Sequence, residues 1–405
     1  MTDWKRTTMT LTKDHGRIGT IWRVLLVGLL SAGLMSPALA GYREQARRIH
    51  DRLAGVPPTD TVLQQMQDDI DPSQPGTPFD AAMLAMDNVN FYNVTLKNFA
   101  APWTNRDRNQ FVPLNDYIAT VIGMIRDDVP FNTLLSADLT YVGQSGVVPA
   151  APSASNNDHY EQLEANDINL RDELTDVPQS SINGLPPAAT AGVMTSRAAA
   201  QAFFIAGTNR AMFRFTLLNQ MCNDMEQMHD TKLPPDWIRQ DVSRSPGGDS
   251  RLFLNSCIGC HSGLDPLAGA FAYYNYDEAA GRIEYTEGVV QEKYFHNDLN
   301  FPQGFRTTDD LWLNRWREGQ NAYLGFDPSL PGSGHGAKSL GEELGNSRAF
   351  ASCQVKKVFK AVCLRAPEDA ADRQKVDDLT SQFMTTLGYR MKDVFAETAV
   401  YCMGQ

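Results

Sequence analysis

Apolar residues recur at intervals of three and four along much of the chain, the spacing of a helix with one buried face. The stretch "GYREQARRIHDRLAGVPP", residues 41–58, predicts an amphipathic helix closed by Gly55 and the Pro57-Pro58 pair. In "PLNDYIATVIGMIRDDV", residues 113–129, the pattern places Ile118, Val121, Ile122 and Ile125 on one face. Residues 196–230, "SRAAAQAFFIAGTNRAMFRFTLLNQMCNDMEQMHD", read as one long helix. Its Met221, Met225 and Met228 form a stripe one turn after Leu217 or Leu218, the usual filling of a core. "NSRAFASCQVKKVFKAVCLRAP" and "DLTSQFMTTLGYRMKDVFAETAVYC" complete the helical series. The fold class expected is mainly α.

The pattern fails in four places. "FYNVTLKNFAAPWTNRD", residues 91–107, is aromatic and irregular and reads as core packing. Residues 144–192 are rich in Pro, Ser, Ala and Asn around an acidic helical piece at 159–175, and read as a long surface connection. Asp265-Pro266 reads as an N-cap and first helical proline, opening a helix "LAGAFAYYNYDEAAG" that ends near Gly281. Residues 282–303 read as one short hairpin. Farther on, "GSGHGAKS" (332–339) fails as a phosphate loop, because Ala337 stands where glycine must precede the lysine and no βαβ unit surrounds it. Ser339 with Glu342 reads instead as a capping box.

Composition adds a compartment. Residues 1–23 carry Lys5, Arg6, Lys13, Arg17 and Arg23, followed by the apolar "VLLVGLLSAGLM" and "SPALA" up to Ala40. A basic region, an apolar run too short to span a bilayer and an A-x-A-like end predict a secretory signal peptide over 1–40. Export, most simply to a bacterial periplasm, implies an oxidising environment, with no membrane span in the mature chain. The sequence holds 36 Lys+Arg and 48 Asp+Glu. Residues 1–40 take five of the basic and two of the acidic side chains, which leaves 31 against 46. Such an acidic excess argues against nucleic acid as a partner and suits docking to a basic protein. The expected organisation is a helical N-terminal region at 41–190, with its Pro/Ser-rich linker, and a second domain at 191–405.

The strongest chemical signal is "CIGCH", residues 257–261. Two thiols one helical turn apart can add across the two vinyl groups of a single haem, and the next residue then carries an imidazole to the iron. Cys257 and Cys260 are therefore the expected attachment sites of one covalent haem c, and His261 its iron ligand. Gly259 would let the backbone lie close to the porphyrin edge. Three other readings compete. A thioredoxin-like dithiol needs a βαβ setting; zinc needs two more ligands, and neither His296 nor His335 has a recognisable spacing; a disulfide across two residues is strained.

The remaining cysteines, Cys222, Cys353, Cys363 and Cys402, allow three connectivities. Cys353 and Cys363 share a predicted helix, which separates them by about 15 Å and removes one. If the last helix breaks at Gly388 and folds back, Cys402 returns to Cys363 and Cys222 pairs with Cys353.

The segment "CIGCHSGLDPLAGAFAYYNYDEAAGR", residues 257–282, resembles the haem segment of the large planctomycete-type cytochrome c proteins. "SRAFASCQVKKVFKAVCLR" is similar to a helical segment downstream in that group. The resemblance covers the C-terminal half and implies a helical, monohaem cytochrome c-like domain. It carries over Cys257 and Cys260 as haem attachment sites and His261 as proximal ligand. Pro266 would mark a loop carbonyl that orients the His261 ring. Candidates for the sixth ligand are Met384, Met391, Met403, the Met221/Met225/Met228 stripe, His296 and His335, or an open position. Arg244 and Arg251 are candidates for a propionate partner.

Two functions follow. One is electron transfer to a redox partner protein, which needs no catalytic residue beyond the ligands. The other is a haem enzyme with an open distal site for peroxide or oxygen chemistry; the single C-x-x-C-H counts against the dihaem peroxidases. A zinc-stapled structural protein is the third reading.

Overall fold

Short polar side chains set the helix starts. Thr59, Thr77, Asn115, Ser196, Ser347 and Asp369 each accept a backbone N–H of the helix they open, satisfying a donor the first turn leaves unpaired. In this computed structural model the described residues are 41–204, 208–238, 251, 255–294 and 305–404. The signal-peptide segment, Arg244 and His296 lie outside them.

The architecture is mainly α, as the periodicity predicts. The longer helices are α1 (Tyr42–Ala54), α2 (Asp60–Ile70), α3 (Pro78–Ala85), α4 (Asp116–Arg126), α5 (Asp158–Ala165), α6 (Arg197–Phe203) and α7 (Arg210–Gln220). After these come α8 (Ile258–Ala268), α9 (Gly336–Gly345), α10 (Arg348–Cys363), α11 (Ala370–Met384) and α12 (Met391–Cys402). Among the described residues three antiparallel strand pairs decorate them: β1 (Thr140–Gly143) with β2 (Leu174–Val177), β3 (Tyr274–Asp277) with β4 (Arg282–Tyr285), and β5 (Leu311–Leu313) with β6 (Ser333–His335).

The first and last described helices share one layer. Helix α12 packs on α1, α3 and α10, and Phe395 sets its ring edge-on to Phe91 and Phe99. Arg48 and Arg52 of α1 donate to the carbonyls of Met403 and Cys402, placing cations at the C-terminal end of α12. Residues Tyr42–Met403 belong to a single compact unit. Helix α4 is more central than its pattern implies: every residue from Tyr117 to Ile125 is buried. The Tyr141 ring of β1 lies against Gly123, where a Cβ would stand 2.1 Å from it.

Several local expectations are corrected. The 144–192 stretch has its expected acidic helical piece, as α5, but it also carries β2, buries Tyr160, Leu163 and Leu174 rather than running over the surface, and ties Gln179 to Thr195 and Gly192. Residues 196–230 hold two helices; Asn209, in the left-handed region at φ 54°, precedes α7 and donates to the carbonyls of Phe271 and Tyr274. Helix α7 ends at Gln220, so Met221 closes it and Met225 and Met228 lie in turns beyond. The motif helix begins at Ile258, with Asp265 and Pro266 in its last turn. The hairpin that follows is β3–β4, earlier in the chain than expected. Ser339 is inside α9, bonded back to the His335 carbonyl rather than capping.

Candidate functional site

Helix α8 gathers the predicted residues. Cys257 occupies its N-cap position, and the Cys260 and His261 amides both donate to the Cys257 carbonyl. The two cysteines, three apart on the opening turn, share a face. Their thiols are not bridged, whereas the other four cysteines pair as Cys222–Cys353 and Cys363–Cys402, with Cα atoms 5.2 and 5.5 Å apart. That is the pairing expected if the last helix folds back at Gly388, and the chain does turn back through Gly388 and Tyr389, both at positive φ. Burial pushes the Cys260 thiol up, and the neighbouring Cys257, Glu226 and Asp224 add to it. A redox dithiol nucleophile needs the opposite shift. Cys260 Sγ points to the Met225 carbonyl at 3.4 Å.

His261 is held from below. Its Nδ1 lies 3.0 Å from Asp265 Oδ1, one turn along the same helix. Asp265 is fully buried, and Arg210, the first residue of α7, grips both its oxygens: Nε at 2.7 Å from Oδ1 and a terminal nitrogen at 2.8 Å from Oδ2. Burial alone would raise the Asp265 pKa. The charge and hydrogen bonds of Arg210 and His261 outweigh it and hold the carboxyl well below the usual range. The partner of Nδ1 is thus a carboxylate, where a loop carbonyl marked by Pro266 was expected.

The two glycines of α8 serve close packing. A Cβ on Gly259 would stand 2.3 Å from Nε2 of His229, and one on Gly263 would stand 2.2 Å from Nε1 of Trp316. The Asp230 amide also donates to the Gly259 carbonyl at 2.9 Å. On another side Ile238 packs on Cys257 and Ile258, apart from the main core. Beside it Trp237 stacks on Phe305 at 4.8 Å.

Of the other predicted groups, Met221, Met225 and Met228 are buried, and the Met225 carbonyl accepts from Cys260 Sγ. Met384 and Met391 lie at the facing ends of α11 and α12, and Met403 just beyond α12. His335 is exposed and bonded to Asp310 at 2.9 Å. Arg251 is exposed. Among the described residues no group of three His, Cys, Asp or Glu side chains could hold a metal ion, so a zinc site has no donor set there. A cleft of about 480 Å³ is lined by Asn93, Lys97, Glu164 and Ile168, away from the motif residues.

Sequence reasoning missed Asp265 as a partner of His261, and Arg210, His229 and Trp316 altogether. The i, i+4 spacing of His261 and Asp265 was a usable signal once the segment is read as helix. Comparison with protein-family models, curated proteins and solved structures finds no match to this chain.

Proposed function

We propose that this chain is a monohaem c-type cytochrome carrying single electrons in an oxidising compartment, the periplasm. Cys257 and Cys260 are its attachment sites and His261 its iron ligand. One observation carries the reading. The only two unbridged cysteines described stand on one helical turn, beside a histidine whose Nδ1 is already engaged. Haem held there supplies a one-electron couple. The thiols would hold its edge to α8, and with Nδ1 turned to Asp265, Nε2 of His261 would be the nitrogen offered to iron. The partner is a redox protein with a basic face, matching the acidic excess of the chain.

A second reading, a haem enzyme with an open distal site, draws on the carboxylate behind His261, which raises ligand basicity.

Expression with a cytochrome-maturation system tests the proposal. Denaturing gels should show covalent haem on the wild type and none on Cys257→Ala/Cys260→Ala; a wild-type chain lacking it sinks the assignment. Carbon monoxide then separates the roles. An unchanged Soret band supports the electron carrier, and a shifted one the enzyme.

A further inference from the structure

The carboxylate behind the motif histidine is unusually well secured. Asp265 Oδ1 accepts from both His261 Nδ1 at 3.0 Å and Arg210 Nε at 2.7 Å, while Oδ2 takes a second Arg210 nitrogen at 2.8 Å. The group is completely buried, and the guanidinium that grips it leaves it charged rather than neutralised. We infer that Asp265, clamped by Arg210, is a positioning residue that gives His261 imidazolate character and sets a low reduction potential at this site. The inference rests on the haem reading above.

The physical chain is short. A full negative charge accepting the Nδ1–H pulls the proton toward the carboxylate and makes Nε2 a stronger donor. A stronger, more anionic ligand favours the more highly charged ferric iron over ferrous, so the potential falls. Arg210 keeps the carboxylate ionised in a dry environment and fixes its direction from a second helix. A tie between α7 and α8 that was only structural would affect stability and leave the potential alone.

The test uses the haem-loaded full chain, with potentials read by spectroelectrochemistry and covalent haem by mass. Asp265→Asn keeps the shape and an acceptor oxygen but removes the charge. The potential should rise by the equivalent of a tenfold or larger change in the ferric–ferrous equilibrium, about 59 mV for one electron, with haem still attached. Asp265→Asn also takes from Arg210 its anionic partner, so Asp265→Asn/Arg210→Gln removes both charges and keeps the question open to measurement if the single variant does not fold. Its potential should rise in the same direction by less. A potential equal to wild type in the folded, haem-bearing variants overturns the inference while leaving the cytochrome reading intact. A wild-type chain without haem overturns both.

Discussion

Trp316 lays its indole against the bare backbone of Gly263, so close that a Cβ there would meet Nε1 at 2.2 Å. The ring is almost wholly buried, at 1% exposure, and has no room to retreat. His229 makes the same kind of contact with Gly259 one turn earlier, but it is exposed.

These two contacts predict opposite results for the same substitution. Alanine improves helix propensity by about 1 kcal/mol at either position. At Gly263 the forced displacement of Trp316 outweighs that gain, and Gly263→Ala should destabilise the protein by about 1–3 kcal/mol. At Gly259 the exposed imidazole swings aside, and Gly259→Ala should be close to neutral. Urea unfolding of both variants checks this; equal effects would show that the indole contact does not constrain the helix.

The two disulfides close loops of different length, with sequence separations of 131 and 39. Removing either pair as Cys→Ala should cost about 2–5 kcal/mol. In the chain-entropy account the Cys222–Cys353 pair should cost about 1 kcal/mol more than Cys363–Cys402. Denaturant midpoints of the two double variants decide it. A larger loss from the short loop would place the stabilisation in native packing instead.

Burial pushes the Lys293 amine down to about 7, against an opposing pull from Glu284. Its nitrogen donates to the Phe204 carbonyl and to Asn275 Oδ1. Below pH 7 the amine is charged in both folded and unfolded chains, so the cost of burying that charge is fully present. Between pH 7 and its unfolded value of 10.5 the unfolded chain binds a proton that the folded chain does not, and stability therefore rises with pH. The slope from this one group is at most about 1.4 kcal/mol per pH unit. Lys293→Met should flatten the stability profile between pH 7 and 9; an unaltered slope would mean that the amine titrates elsewhere.

If attachment and ligation are separate jobs, His261→Met should keep covalent haem, because Cys257 and Cys260 are untouched. It should nevertheless alter the visible spectrum and the potential. Mass spectrometry with a redox titration reads both. A spectrum and potential identical to wild type would remove His261 from the iron.

Much of the outline was legible from residues alone. Helix α10 follows its apolar spacing from Arg348 to Cys363, and holding Cys353 and Cys363 on one rigid rod excludes a bond between them. The reading of Asp265-Pro266 failed for a specific reason. An aspartate before a proline suits a helix start, yet the same aspartate four residues after His261 suits a pair within a helix, and the local sequence favours neither. Pro266 stands inside α8, two residues before its end at Ala268, where it gives up one N–H bond of the last turn. In the same way Ser339 and Glu342 have capping spacing, but the tight turn at Gly336 starts α9 earlier.

Spacing along the chain by itself determined the helical class, the clustering of two thiols and an imidazole on one turn, and the exclusion of one of the three pairings open to the other four cysteines. Each of these depends on neighbours within a few residues or on the reach of a rigid helix. The tertiary structure alone decided that Arg210, 55 residues from Asp265, closes on its carboxylate, and that α12 returns to α1. Such contacts arise from how buried faces are shared among distant segments, and no local pattern of polar and apolar residues encodes which faces meet.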